Sequence, residues 1–349
     1  MNAVFLAKQH PLWQGGALHC KKRIEETIDC TSFVLTADHP TRFAFLPGQF
    51  ITIGVEIDGK KHYRAYSISS TPLEDDFLTI TVKRVAGGLI SNYLIDHFRT
   101  GESLDALAPA GEFHLPQNAE KMKHVMLSAG SGITPMMSMA RWLLAHNLDA
   151  DIHFIHSARS EQELIFRDEL LLIAQQYPTF KLDLFLTKPE GSVPCHTGRL
   201  TPERLTALLP DATDSDIYLC GHQEYMDMAE GWHKTQSLPL ERFHKESFTP
   251  AELPHANPGA EMFTLSVPAF DKTAQIADGQ SLLEIMEAES LPIIGACRSG
   301  ICGSCKCKVI EGKVEQLSTE TLTQDEIDSG VVLACSTVAR GSLKVEIVF

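Results

Sequence analysis

The sequence predicts a multidomain protein: an antiparallel β-barrel, then an α/β domain with a parallel sheet, then a small α+β domain. Three observations predict this. Short strand-like runs fill the first third of the chain, strands alternate with helical segments in the middle, and a cysteine-rich segment lies near the C-terminus. The chain has 349 residues, enough for two or three domains. The predicted boundaries are 1–18 for an N-terminal extension, 19–118 for the barrel, 119–250 for the α/β domain, 251–260 for a linker and 261–349 for the last domain.

The barrel is predicted from runs such as FVLT, QFITIGVEI, AYSISS and LTITVKRV, with turn residues between them at Pro47-Gly48 and Asp58-Gly59. Short strands at this spacing favour a small antiparallel barrel. In the α/β domain, HVMLSAG leads through a glycine-rich turn into TPMMSMARWLLAHN, and IHFIHSA precedes EQELIFRDELLLIAQQY. The strands LDLFLT and DIYLCG follow. Such alternation indicates a parallel sheet covered by helices. The proline-containing AELPHANPGA is typical of a linker, and SLLEIMEAES predicts a helix in the last domain.

Four cysteines in the last domain follow the spacing C-x4-C-x2-C with a distant fourth: Cys297, Cys302, Cys305 and Cys335. This is the plant-type spacing that holds a [2Fe–2S] cluster through four thiolates. A zinc site that uses Cys307 instead of Cys335 is the alternative, but CRSGICGSCKC lacks the paired short knuckles of zinc motifs. We expect Cys307, between Lys306 and Lys308, to lie in the strand that follows.

The strand Arg64-Ala65-Tyr66-Ser67 and the later segment Gly87-Gly88-Leu89-Ile90-Ser91 form a set that suits a flavin nucleotide. Arg64 can pair with a pyrophosphate, Tyr66 offers a flat face to the isoalloxazine ring, and the Ser67 hydroxyl can reach flavin N5. Gly87, Gly88 and Ser91 at a helix start supply backbone N–H groups for phosphate. The alternative is an ordinary alternating strand with Tyr66 half-buried.

A second glycine-rich turn, Gly130-Ser131-Gly132-Ile133-Thr134-Pro135, follows the strand VMLSA and opens a helix. The glycines permit a tight turn and the close approach of a pyrophosphate to the helix N-terminus. Pro135 suits the first helical turn, where a missing N–H is tolerated. The turn departs from the GxGxxG fingerprint, so it gains weight only beside the flavin set and the later Cys220-Gly221.

Together, RxYS, GG-x-x-S and GxGxTP resemble the ferredoxin–NADP reductase superfamily over roughly residues 19–349. The added cysteine motif resembles its single-chain, oxygenase-reductase-like branch. Within that branch, five segments most resemble the NADH oxidoreductases of the hybrid-cluster protein: ARW at 140–142, FRDE at 166–169, TGRLT at 197–201, YMD at 225–227 and FHKESFTP at 243–250.

The resemblance implies FAD, although Arg64 and Ser91 suit the phosphate of FMN equally well. It implies that Cys220 and Gly221 border the nicotinamide, with His222 at a position that is usually proline. Glu246 and Phe248 match the segment placed near the flavin. There a buried Glu246 could help move the N5 proton; the alternative is a surface carboxylate before the linker.

The predicted function is an NADH-dependent reductase that passes electrons from NADH to FAD, to the [2Fe–2S] cluster and then to a partner redox protein. The predicted partner is the hybrid-cluster protein, and the alternative is a Rieske or di-iron oxygenase component. A redox-sensing protein without enzymatic activity is the alternative from another class. We expect NADH to be preferred to NADPH, because only Arg159 and the more distant Arg167 follow the strand HFIHSA.

The net charge is −15 and no basic patch stands out in the sequence, so we do not expect a nucleic-acid partner. Residues 261–349 carry a net charge of −6, from seven basic and thirteen acidic side chains. Such a surface can steer a basic partner or simply keep the protein in solution. No segment approaches the roughly 20 apolar residues of a membrane span. The N-terminus lacks the features of a signal peptide, so we expect a cytoplasmic location.

Overall fold

A computed structural model describes residues 10–248, 259–298, 300, 302–319 and 321–348. They form two compact units, one of the described residues up to Val55 with Tyr66–Glu246, and the other of Glu56–Ala65 with the described residues from Ser247 onward. Residues 1–9 of the predicted extension and all but the last two residues of the predicted linker lie outside the described residues. The predicted boundaries therefore stay predictions.

The first six strands form one antiparallel sheet in the order β4-β3-β6-β1-β2-β5. Their bounds are β1 Gly15–Thr27, β2 Cys30–Ala37, β3 Phe50–Ile57, β4 Lys60–Ser67, β5 Leu78–Lys83 and β6 Ser103–Leu107. An antiparallel bridge between Ile68, directly after β4, and Ile80 of β5 joins the two outer strands. Because this bridge links the ends of the sheet, the predicted barrel is confirmed. Helix α1, Leu89–His97, follows β5.

The next six strands form a second sheet in the order β10-β9-β8-β7-β11-β12. Their bounds are β7 Lys123–Ala129, β8 Asp151–Ala158, β9 Phe180–Leu186, β10 His196–Thr197, β11 Ser215–Gly221 and β12 Phe243–Ser247. The pairs β7–β8, β8–β9, β9–β10 and β7–β11 are all parallel. This sheet confirms the α/β prediction.

Four helices cover the parallel sheet: α2 Ile133–His146, α3 Arg167–Gln176, α4 Pro202–Leu208 and α5 Gln223–Thr235. One apolar core packs side chains of α2 and α3, such as Met136 and Leu170, against the sheet. The other packs Leu205 of α4 and Trp232 of α5 against its other face. Burial of both faces explains the near-continuous apolar character of these strands.

The segment EQELIFRDELLLIAQQY is not one continuous helix, since Glu161–Glu163 forms a 3-10 turn and α3 begins only at Arg167. Leu164 and Ile165 are buried without being helical, and Phe166 has a φ of 58°. A left-handed backbone at a bulky residue ends any helical run. The apolar side chains of this segment are thus buried in two ways: by an irregular backbone just before Arg167 and by helix α3 from Arg167 onward.

The C-terminal residues form an α+β domain, as predicted. A five-stranded sheet has the order β14-β13-β19-β15-β17, and β16 pairs with β18. The bounds are β13 Met262–Val267, β14 Lys272–Ala277, β15 Lys306–Glu311, β16 Val314–Gln316, β17 Val331–Leu333, β18 Thr337–Ala339 and β19 Leu343–Ile347, with helices α6 Leu282–Ala288 and α7 Gln324–Asp328. Ser281 caps α6 by accepting a hydrogen bond from the Glu284 amide, and Thr323 with Glu326 forms a capping box at α7. Within the part of the chain that the structure describes, no helix is long and apolar enough to cross a membrane.

Candidate active site and cluster loop

Strand β4 carries the predicted flavin set, Arg64 to Ser67. Burial increases toward its end: Arg64, Ala65 and Tyr66 are partly exposed, whereas Ser67 is buried. Beyond Ser67 the chain stays tied to the barrel, because the Ile68 amide donates to the Gln49 carbonyl (2.9 Å) and the Ser69 amide donates to the Thr79 carbonyl (2.8 Å). The Ser67 hydroxyl therefore sits on a firmly held segment.

Glu246 lies beside Ser67, although 179 positions separate them in the chain. The Ser67 Oγ donates a hydrogen bond of 3.2 Å to Glu246 Oε2. Glu246 comes from strand β12 and is only 5% exposed. It is therefore not the surface carboxylate of the alternative interpretation. A buried hydroxyl and carboxylate in contact form a pair that can hold and pass on a proton.

Cys220 is the penultimate residue of strand β11 and is fully buried. Burial, and to a smaller degree the charge of Glu246, raise the pKa of Cys220 well above its usual value. Cys220 is therefore a neutral thiol and not a reactive thiolate. His222 caps helix α5 by accepting a hydrogen bond from the Tyr225 amide through Nδ1 (3.4 Å). A histidine can thus replace proline here without loss of the helix start.

The turn Gly130–Gly132 is a short 3-10 segment that leads from β7 into α2. Gly130 has a φ of +54°, and a Cβ on Gly132 would lie 2.1 Å from the carbonyl oxygen of Cys220. Gly132 therefore allows the turn to pack directly on the end of β11, next to Cys220-Gly221. The Thr134 hydroxyl donates to the Ser131 carbonyl (3.0 Å), and Pro135 lies in the first turn of α2 as predicted.

The second glycine-rich segment lies at the start of helix α1. Gly87 has a φ of +71°, and Gly88 is the N-cap residue. The Val85 amide donates to Ser91 Oγ (3.3 Å), so Ser91 holds the turn in shape. A hydroxyl that accepts one hydrogen bond can still donate another. The turn thus keeps the two glycines and the hydroxyl on which the phosphate prediction depends.

The carboxyl ends of β7 and β8 contain a buried polar pair. Ser128 Oγ and His156 Nδ1 share a hydrogen bond of 2.8 Å. Burial lowers the pKa of His156 to about 3, so the ring is neutral at physiological pH. His156 Nε2 is buried without a hydrogen-bond partner among the described residues. Such buried, unpaired atoms are rare in folded proteins.

Two further predicted residues lie on more open surfaces. Phe248 follows β12 and is 41% exposed. Arg159 lies just after β8, and its Nε is 3.7 Å from Glu163 Oε1. The acidic neighbour reduces the positive charge that a 2′-phosphate would meet at this position.

The four predicted cluster ligands lie near the C-terminal core: Cys297, Cys302, Cys305 and Cys335. Three of them are buried, and Cys302 is partly exposed. Contact with Cys297 raises the pKa of Cys302, and a hydrogen bond from Cys335 lowers the pKa of Cys305. The Cys335 amide lies 3.4 Å from Cys305 Sγ. The thiol of the distant Cys335 therefore lies beside the thiols of the cysteine loop.

The loop that carries three of these cysteines has an irregular backbone. Arg298, Gly300 and Gly303 all have positive φ, at 59°, 75° and 70°. Ser304 ties the loop together, because its Oγ accepts from the Ala296 amide (3.4 Å) and donates to the Ile294 carbonyl (3.0 Å). It also lies 2.9 Å from Cys302 Sγ. Left-handed positions and small residues let the chain wrap closely around a group held by thiols.

Cys307 lies apart from this loop in strand β15, as predicted. It pairs with Val332 of β17 and is fully buried in the apolar core. No group of three or more His, Cys, Asp or Glu side chains among the described residues has the geometry to hold a single metal ion. The four thiols around an irregular, glycine-containing loop fit the donor set of a two-iron cluster, in which each iron takes two thiolates.

Sequence reasoning assigned no role to Ser304 in the loop or to Arg141, which contacts the segment after β4, and it noted His222 only as a departure from proline. Ser304 and His222 act on backbone groups nearby in the chain, whereas Arg141 reaches a carbonyl 72 positions away. Arg141 had a signal, because ARW and FRDE both carry the family resemblance.

Comparison with known proteins agrees with this description. Three family models match in order: an oxidoreductase FAD-binding domain at 17–115, an oxidoreductase NAD-binding domain at 126–231, and a 2Fe-2S iron-sulfur cluster binding domain at 269–340. The glycine betaine monooxygenase reductase subunit of Pseudomonas aeruginosa is 33% identical over 355 residues, which cover 96% of each chain. The NADH oxidoreductase HCR of Escherichia coli is 37% identical over 302 residues, covering 86% of this chain and 88% of that protein.

Among solved structures, phthalate dioxygenase reductase matches with a TM-score of 0.66 at 24% identity, covering 96% of this chain and 98% of that one. That protein is described as a modular structure for electron transfer from pyridine nucleotides to [2Fe-2S]. At this identity the match shows the fold.

These findings define a class, the multidomain flavin and iron–sulfur reductases. The chain belongs to the ferredoxin–NADP reductase superfamily, in the branch with a C-terminal plant-type [2Fe–2S] domain. It is an electron-transfer oxidoreductase that uses FAD, NAD(H) and a [2Fe–2S] cluster, and the redox-sensing alternative is wrong.

Proposed function

We propose that Ser67, Cys220 and Glu246 form the site where hydride passes from NADH to the flavin. The hydrogen bond of 3.2 Å between the buried Ser67 hydroxyl and the Glu246 carboxylate carries this proposal. When bound, FAD takes a two-electron hydride, and the [2Fe–2S] cluster takes and gives single electrons. The hydride itself supplies the N5 hydrogen, so Ser67 and Glu246 would take up the proton that N5 must lose when the two electrons leave one at a time. Cys220, a neutral thiol, borders the nicotinamide and orients it.

The other predicted residues hold the two nucleotides in this proposal. Arg64, with Gly87, Gly88 and Ser91, binds the phosphates of FAD beside the aromatic face of Tyr66. Gly130, Gly132, Thr134 and Pro135 form the turn that receives the NADH pyrophosphate, and Gly221 lets the nicotinamide approach Cys220. Phe248 lies in the segment that the family places near the flavin. Cys297, Cys302, Cys305 and Cys335 bind the cluster.

The nucleotide is NADH rather than NADPH in this proposal. The carboxylate of Glu163, 3.7 Å from Arg159 Nε, supports it, because a nearby negative charge disfavours a 2′-phosphate. The test compares kcat/KM for the two nucleotides, and a preference for NADPH would contradict the assignment.

Replacing Glu246 by Gln tests the site itself. The variant keeps the shape of the side chain but cannot accept a proton, so reoxidation of the NADH-reduced flavin by the cluster should slow by roughly 10²- to 10⁴-fold. Anaerobic stopped-flow absorbance measures this rate. Glu241→Gln, at an exposed position near β12, is the matched control and should behave as wild type. An unchanged rate in Glu246→Gln would remove Glu246 from the mechanism.

For the acceptor, we propose the hybrid-cluster protein. The five segments noted in the sequence and the 37% identity to the E. coli NADH oxidoreductase HCR support it. A second candidate is an oxygenase component, favoured by the 33% identity to a monooxygenase reductase subunit over nearly the whole chain. The deciding experiment measures anaerobic NADH-driven reduction of a purified hybrid-cluster protein and of a Rieske oxygenase. Fast transfer to the oxygenase alone would favour the second candidate.

A further inference from the structure

The guanidinium of Arg141, in helix α2, makes hydrogen bonds in two directions. Nε donates to Glu169 Oε1 (2.7 Å) and Nη2 donates to Glu169 Oε2 (2.6 Å), which is a bidentate pair. Nη1 donates to the backbone carbonyl of Ser69. The guanidinium carbon also lies 4.9 Å from the centre of the Phe166 ring. Its orientation is therefore fixed on several sides.

A second side chain of the same helix makes a parallel contact. Ser138 lies one turn before Arg141 on the same face of α2. Its hydroxyl donates to the Ser70 carbonyl at 2.6 Å, and Ser138 is fully buried. Helix α2 thus holds two consecutive carbonyls, Ser69 and Ser70, in the segment that follows β4.

These contacts join the two halves of the proposed hydride site. At one end, α2 begins directly after the turn Gly130–Gly132, which is packed on Cys220. At the other end, Ser69 is two residues beyond Ser67 and is paired to Thr79 in the barrel. A helix and a paired strand are both stiff, so the contacts of Arg141 and Ser138 determine the offset between the nucleotide turn and Ser67.

We propose that Arg141, held by Glu169 and assisted by Ser138, is a positioning residue for hydride transfer. It touches neither nucleotide in this view but sets the distance between the nicotinamide and flavin rings. The inference rests on the proposed hydride site. Hydride transfer is sensitive to such placement, because a misplacement of about 1 Å can slow a reaction roughly 100-fold. The proposed positioning role also accounts for the segments ARW and FRDE, which supply Arg141, Phe166 and Glu169.

The test uses full-length protein loaded with FAD and cluster. Arg141→Met removes all the hydrogen bonds, and Arg141→Lys keeps the charge but loses the planar fork. Ser138→Ala removes one hydroxyl and is the mildest change. Arg42→Lys is the control, since Arg42 pairs with Asp75 at 2.6 Å on the exposed barrel surface.

Flavin reduction is followed anaerobically at increasing NADH, which separates the limiting hydride rate from NADH affinity. In Arg141→Met we expect the limiting rate to fall by about 10- to 100-fold. The NADH dissociation constant and the flavin content should stay near wild type. The primary isotope effect with deuterated NADH should rise, and the long-wavelength absorbance of stacked nicotinamide and flavin should weaken. Arg141→Lys and Ser138→Ala should show smaller changes in the same direction, and Arg42→Lys none.

Wild-type limiting rates in both Arg141→Met and Ser138→Ala would overturn the inference. So would a loss of rate that only parallels lost flavin or a lower Tm, since that indicates a purely structural role. If Arg141→Met does not fold, Ser138→Ala decides alone. Failure of the wild-type protein to reduce its flavin with NADH would instead overturn the proposed hydride site, so the two failures are distinguishable.

Discussion

The distinction between Cys307 and the predicted cluster ligands rests on their local surroundings. Cys307 lies in a regular strand of the core, whereas Cys305, two residues earlier, is in contact with Cys335. We predict that Cys335→Ser loses the cluster and that Cys307→Ser retains it. The second change places a hydroxyl in an apolar core, so it should lower stability by about 1–3 kcal/mol. Iron and labile sulfide content measure the outcome. Iron that survives Cys335→Ser but not Cys307→Ser would reverse the assignment.

His156 gives a residue-scale prediction for the effect of pH. Its pKa is about 3 in the folded chain, against 6.5 for an unperturbed histidine. Between these values the unfolded chain binds the proton and the folded chain does not. Stability therefore falls as pH decreases below 6.5, by up to about 1.4 kcal/mol per pH unit, and His156 causes no loss above that range.

Replacing His156 by Gln should flatten this decline, because glutamine can still hydrogen-bond Ser128 but does not titrate. Urea denaturation between about pH 5 and 7 measures the difference. His146→Gln, at an exposed position of α2, serves as control. Equal pH slopes for wild type and His156→Gln would show that another group governs the acid sensitivity.

At the scale of elements, the contact between the turn Gly130–Gly132 and strand β11 determines the shape of the nucleotide site. A side chain on Gly132 would clash first with the Cys220 carbonyl, and this backbone cannot move aside as a flexible side chain could. We predict that Gly132→Val loses NADH binding by displacing the turn, while flavin stays bound in the barrel.

NADH titration and flavin content measure this outcome. Gly231→Ala is the control, because Gly231 lies in α5 with open space around its Cα and alanine there should stabilise by about 1 kcal/mol. Normal NADH affinity in Gly132→Val would mean that the turn tolerates displacement. Loss of the flavin as well would mean that the change unfolds more than the turn.

For the whole molecule, the order of cofactors predicts two separable activities. A full-length Cys335→Ser variant should still reduce ferricyanide with NADH, because that step needs only the flavin. It should fail to reduce the physiological acceptor, which takes electrons from the cluster. Undiminished reduction of the acceptor would overturn this electron path.

The net charge of the protein predicts how reduction of the acceptor responds to ionic strength. With a net charge of −15 on the chain, docking to a basic acceptor should weaken as ionic strength rises. The rate of acceptor reduction by wild type should therefore fall with added salt. If the rate of acceptor reduction does not change with salt, the acidic surface serves only to keep the protein in solution.

The sequence by itself determined the class of protein and the order of its parts. Three features are local patterns: the cysteine spacing, the two glycine-rich turns and the RxYS strand. Each is required by the geometry of its own segment of chain. Gly130 and Gly132 are needed for a positive φ and for a close backbone approach, and such needs are visible in the residues themselves. The barrel and the parallel sheet likewise follow from strand patterns that each depend on near neighbours.

Only the tertiary structure decided which distant groups meet. Glu246 reaches Ser67 across 179 positions, and Arg141 reaches the carbonyl of Ser69 across 72. Neither contact leaves a periodicity or a spacing in the chain, because each depends on how the barrel and the parallel sheet pack within one unit. The apolar pattern before Arg167 predicted a longer helix than the structure forms, since α3 begins only at Arg167. Buried apolar side chains produce the same pattern in a helix and in an irregular segment. Local sequence patterns thus define the binding motifs, and tertiary packing determines which of their residues come into contact.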